Sequence, residues 1–194
     1  MRTNNEKAED AISAALGELE SFEINEEFKK VYLEISDVDL QLLFLKLHSN
    51  LIRLFRAMNS RLPTKTKTAH YWADESRALI TCIVTSLEVY YSVKESKYEF
   101  TIDEYYLDIF SQCRQFLSPS GGSELPFNME RIELFYNSPI FRLSNTVNIE
   151  TLTTSVYENL SMIGEGSYAL VYKYKDPNYN KKIVVKKASM KSFL

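Results

Sequence analysis

The chain is 194 residues long, enough for one ordinary domain or one and a half small ones, and 45% hydrophobic, 13% aromatic and 25% charged residues exclude a disordered chain. A formal charge of -3 gives no reason to expect nucleic acid or an anionic membrane as the main partner. The charge is uneven: from Ser161 onward seven lysines stand against two acids, a local +5, so the remainder carries -8 and two unlike segments are joined.

In chain order, the opening MRTNNEKAEDAISAALGELE is too polar for a signal peptide, and no window approaches the roughly 18 apolar residues that span a bilayer. A cytoplasmic protein without a membrane partner is expected. Ala8, Ala11, Ile12, Ala15 and Leu19 recur at helical spacing, predicting a helix over about 6–22. Its stripe is thin and Ala-rich, which marks it as peripheral or frayed. A short helix over about 26–35 follows. The strongest signal begins near Asp39, where Leu40, Leu43, Phe44, Leu47, Leu51, Leu54, Phe55 and Met58 define a buried helix that stops before Leu62-Pro63. After the polar PTKTKT break, Tyr71, Ala78, Leu79, Cys82, Ile83, Leu87 and Tyr90 predict another helix to about Val93.

Thr101-Ile102-Asp103-Glu104 has the form of a capping box, with Thr101 as the cap of a helix running to about Leu117. Tyr106, Ile109, Phe110, Cys113, Phe116 and Leu117 form its inner face, and a Ser-Pro-Ser-Gly-Gly-Ser run ends it. Arg131–Tyr136 and Pro139–Leu143 then read as a hairpin or strand pair around Asn-Ser-Pro, and 145–159 as a polar junction. Cys82 and Cys113 lack metal-ligand spacing and are expected to be free, buried thiols. Some helical nucleotide-handling modules use an arginine and a histidine a few residues apart. Arg61 and His70 stand nine residues apart across Pro63, however, and a structural or surface role is expected for His48 and His70. Asp74, Glu75 and Arg77 read as an exposed charged face.

The last segment carries a motif: Ile163-Gly164-Glu165-Gly166-Ser167-Tyr168-Ala169-Leu170-Val171-Tyr172, then eleven residues, then Val184-Val185-Lys186. A Gly-x-Gly pair alone is weak, since dinucleotide-binding folds and ordinary turns share it. In a dinucleotide fold the glycines open a helix and an acid follows about 20 residues later; here strand-formers follow and the acid is missing. The order is strand, glycine turn, strand, Asp-Pro-Asn turn, strand, an antiparallel arrangement.

This stretch, from about Leu160 to Ala188, resembles the first three strands of the protein-kinase N-lobe, of the eukaryotic-type serine/threonine superfamily. The resemblance implies ATP binding by Ile163, Gly164, Glu165, Gly166, Ser167, Tyr168, Ala169, Val171, Val184 and Lys186. Gly164 and Gly166 would let the backbone approach the phosphates, Tyr168 would sit at the loop tip, Val171 would pack on the adenine, and Lys186 would hold the α- and β-phosphates. Ala169 replaces the usual third glycine and Val184 the usual alanine, which narrows the pocket roof. Lys187 is an alternative to Lys186, which is preferred because Ile183–Val185 then fill the three apolar positions before it.

The family's transferase chemistry also needs Mg2+, a glutamate on the next helix, and aspartates in H-R-D and D-F-G loops. The sequence contains neither loop, so the expectation is a fragment: the start of a kinase domain with no catalytic residue or metal ligand of its own, inactive by itself. In the full-length parent, the resemblance implies ATP-dependent phosphorylation of protein serine or threonine. The expected architecture is mainly α, α+β overall: a helical module of no recognised family over 1–123, an extended connector over 124–159, and an incomplete antiparallel sheet over 160–194. The helical module is read as a sensor, docking or self-association domain, with a protein partner or a second copy of the chain. The alternative reading is a non-catalytic interaction or regulatory protein with a remnant kinase-like tail.

Overall fold

The computed structural model describes residues 2–144 in full and, as backbone, the strands over 161–166, 169–175 and 182–188. The chain is mainly helical with small antiparallel sheets and divides into two units, Met1–Thr146 and Val147–Leu194.

Helix α1 spans Asn4–Glu18. Thr3 caps it: its hydroxyl accepts from Glu6 N–H at 3.2 Å, and the Glu6 carboxylate accepts from Thr3 N–H at 2.7 Å. The far end has no basic residue of its own, and Lys46 supplies the missing charge by donating to the carbonyls of Leu19, Glu20 and Phe22. Ala8, Ile12, Ala15 and Leu19 are buried against the neighbouring helices. The Ala-rich stripe therefore marks close helix approach, and α1 is neither frayed nor loosely attached.

A 3-10 helix over Glu26–Tyr32, capped by Asn25, replaces the longer helix expected to Ile35. Helix α2, Val38–Asn59, starts at Asp37, whose carboxylate accepts from Leu40 N–H at 2.9 Å. Its expected stripe is buried, and Leu45 and Ile52 on other sides are buried too, which makes α2 the central element touching α1, the 3-10 helix and helix α3. Helix α3 spans Ala73–Ser92. Tyr71, expected inside it, instead belongs to strand β1, His70–Tyr71, where its hydroxyl donates to Leu54 O.

The expected capping box at Thr101 does not form. Phe100–Ile102 is strand β2, paired antiparallel with Phe141–Leu143, and Thr101 stands opposite Arg142. Asp103 caps helix α4, Glu104–Phe116, by accepting from Tyr105 N–H at 3.1 Å. Cross-strand pairing satisfies more backbone groups than a threonine cap would, and Asp103 serves as the cap two residues later. Strand β3, Ser123–Glu124, pairs with β1, and Phe141–Leu143 is β4.

The expected hairpin between 131–136 and 139–143 is also absent. β4 pairs with β2, and 131–136 runs without regular structure over the helices. There the Asn59 amide takes the place of a strand: Nδ2 donates to Ile132 O at 2.7 Å and Oδ1 accepts from Ile132 N–H at 2.8 Å. Leu125, Ile132, Ile140 and Phe141 are buried, so 124–144 is part of the helical unit's core and not a free connector. Its centre is aromatic: Phe44 stacks on Phe141 at 5.0 Å and meets Phe100 edge-on at 4.9 Å. The 145–159 junction lies outside the described residues.

The second unit holds three antiparallel strands in the order β5–β6–β7: β5 Ser161–Gly166, β6 Ala169–Lys175 and β7 Lys182–Ala188.

Candidate functional site

Strand β5 carries two glycines, β6 holds Val171, Tyr172 and Tyr174, and β7 holds the β-branched run Ile183–Val185. Gly164 stands opposite Val171, and Val171 opposite Lys186, so these three occupy one row across the strands. With strands about 4.8 Å apart, Gly164 and Lys186 are separated by roughly 10 Å of sheet. The next row holds Glu165, Leu170 and Lys187, and the row after it Gly166, Ala169 and Ala188. Val184 stands opposite Lys173, two residues from Lys186 along β7. A register shift between Met162 and Gly164 leaves Ile163 at an irregularity just before the first glycine. Ser167 and Tyr168, which join β5 to β6, lie outside the described residues.

At the level of the backbone, the sheet places Gly164 and Lys186 two strands apart in the same row. In register, Lys186 shares its row with the glycine and with Val171, whereas Lys187 shares its row with Glu165.

In the helical unit, Arg61 and His70 form no acid–base pair. Arg61 pairs with Glu75 and lies over the Trp72 ring at 4.6 Å, while His70 is exposed in β1. Glu75 thereby departs from the expected charged face: it is half-buried in this ion pair, and only Asp74 and Arg77 remain an exposed i,i+3 pair. Cys82 and Cys113 are free and buried as expected, and burial pushes both thiols up to about 12.

His48 is fully buried. Its Nδ1 lies 2.6 Å from the Tyr32 hydroxyl, which itself accepts from Ile140 N–H. We assign the phenolic hydrogen to Nδ1 and the imidazole hydrogen to Nε2, which has no hydrogen-bond partner among the described residues. Phe28 covers the ring at 4.3 Å, and burial lowers the imidazole pKa to about 4. A histidine four residues after Phe44 on an apolar stripe is the sequence signal for this position. Among the described residues no cluster of three or more His, Cys, Asp or Glu side chains is placed to hold a metal ion. No helix there is long and apolar enough to cross a membrane.

Compared with known proteins, the chain matches no family model, no curated protein and no solved structure.

Proposed function

We propose that residues 160–194 are the phosphate-clamping opening of a protein-kinase domain, in a cytoplasmic protein whose full-length form phosphorylates protein serine or threonine with ATP and Mg2+. The observation that carries this reading is the combination of the Ile163–Val171 motif with the antiparallel strands that hold Gly164, Val171 and Lys186 in one row. Gly164 and Gly166 give the backbone its close approach to phosphate oxygens, and Lys186 neutralises charge on them. This segment contributes binding and orientation; the base and the metal-holding carboxylates belong to loops that the 194-residue sequence does not contain. The helical unit acts as a sensor or docking module ahead of that domain.

Reading the coding sequence past Leu194 tests this directly. A glutamate-bearing helix followed by H-R-D and D-F-G is the expected result. An immediate stop, or an unrelated continuation, refutes it. Where the domain is complete, Lys186→Ala should abolish phosphorylation while leaving the melting temperature unchanged, and retained activity would move the role to another residue.

A further inference from the structure

Arg53 and Arg56 stand three residues apart on α2, a spacing that puts both on one side of the helix. Both line a concavity of about 250 Å³ together with Glu23, Asn25, Ser49 and Asn50. Among the described residues neither is in an ion pair, which is true also of Arg114, Arg131 and Arg142 but not of Arg2, Arg61 and Arg77. The partners of Arg53 and Arg56 are neutral. Arg53 Nη2 donates to Asn50 Oδ1 at 3.2 Å, and Arg56 donates through Nε and Nη2 to the Tyr136 hydroxyl at 3.2 and 3.0 Å.

Those partners are themselves fixed. Asn50 is 2% exposed and donates to the carbonyls of Glu23 and Lys46, at 2.8 Å each. The Tyr136 ring lies under the Arg56 guanidinium at 5.3 Å and stacks on Phe28. The guanidinium forks are thus oriented without being neutralised, and each keeps donors free, since five are available per arginine. One fork satisfies a carboxylate, whereas two suit a tetrahedral anion with three terminal oxygens.

We propose that Arg53 and Arg56 form an oxyanion site for a phosphomonoester, supplied as free phosphate or on a phosphorylated side chain. Glu23 shares the concavity, leaves it a net charge of only +1 with the two arginines, and limits the affinity. The site lies in the helical unit and does not depend on the kinase reading of the second unit.

Titration of the full 194-residue chain with inorganic phosphate, and separately with a phosphoserine peptide and its unphosphorylated form, tests it by calorimetry. Saturable one-to-one binding is expected, weakened about tenfold or more by Arg53→Gln or Arg56→Gln as a charge-assisted hydrogen bond is lost. Glu23→Gln should tighten binding, and Arg114→Gln, at an exposed arginine on α4 that does not line the concavity, should leave it unchanged. A peptide that binds more tightly than inorganic phosphate identifies a phosphorylated chain as the source; equal affinity identifies the free ion. Absence of saturable binding to either probe overturns the proposal, as does binding that survives the double variant. Melting curves in phosphate-free buffer establish that each variant folds, and if Arg56→Gln does not, Arg53→Gln and Glu23→Gln still decide.

Discussion

Acidification from about pH 7 to about pH 4 is expected to cost the helical unit about 3 kcal/mol through His48 alone. The imidazole is held neutral inside the fold with its pKa lowered from 6.5 to about 4, while in the unfolded chain it titrates at its ordinary value. As the pH falls below 6.5 the unfolded state therefore takes up the proton first. Stability is full above that value, declines through the window and levels off below about 4. The shift of roughly 2.5 units, at about 1.4 kcal/mol each, sets the magnitude. Protonation also removes the acceptor at Nδ1, so the phenolic hydrogen of Tyr32 loses its partner even where Nδ1–H donates to the hydroxyl oxygen instead. Urea unfolding followed by circular dichroism at several pH values measures the slope, and His48→Asn, which keeps an acceptor near Nδ1 but cannot titrate, isolates the histidine from the carboxylates. The wild-type slope should exceed that of the variant by up to one proton between about pH 6 and about pH 4.5. Equal slopes, or a folded-state proton resonance of His48 that titrates near 6.5, would refute the reasoning.

Asn59→Leu should destabilise the helical unit by about 2–3 kcal/mol, because the Ile132 N–H and C=O lose their partners together; a loss below about 0.5 kcal/mol in urea melts would show that water replaces the amide. Cys82 and Cys113 should both resist a thiol reagent in native buffer and react stoichiometrically in urea, since burial holds them as thiols; rapid native labelling of either would contradict its packing. The 194-residue chain should bind Mg-ATP weakly or not at all in calorimetry, because three strands do not enclose an adenine; tight binding would overturn that expectation.

The sequence alone determined the main helices and most of their buried positions. The three- and four-residue spacing from Leu40 to Met58 is dictated by the helical period, so α2 and its core stripe were legible residue by residue. The three strands were legible for a similar reason, since strand-forming residues act locally, and β6 and β7 lie where those residues cluster, while Gly164 and Gly166 fall inside β5. Tertiary structure decided everything that depends on a partner distant in sequence. Thr101 fits a helix cap until β4, some 40 residues away, pairs with it; 131–136 reads as a strand until the Asn59 amide satisfies its backbone; Glu75 reads as solvent-facing until Arg61 folds against it. Arg56 is a further case, since its neutral partner Tyr136 stands 80 residues away, whereas Arg53 bonds to Asn50 within its own helix. Local propensities differ by tenths of a kcal/mol, whereas a buried backbone group without a partner costs more, so long-range pairing prevails wherever the two disagree.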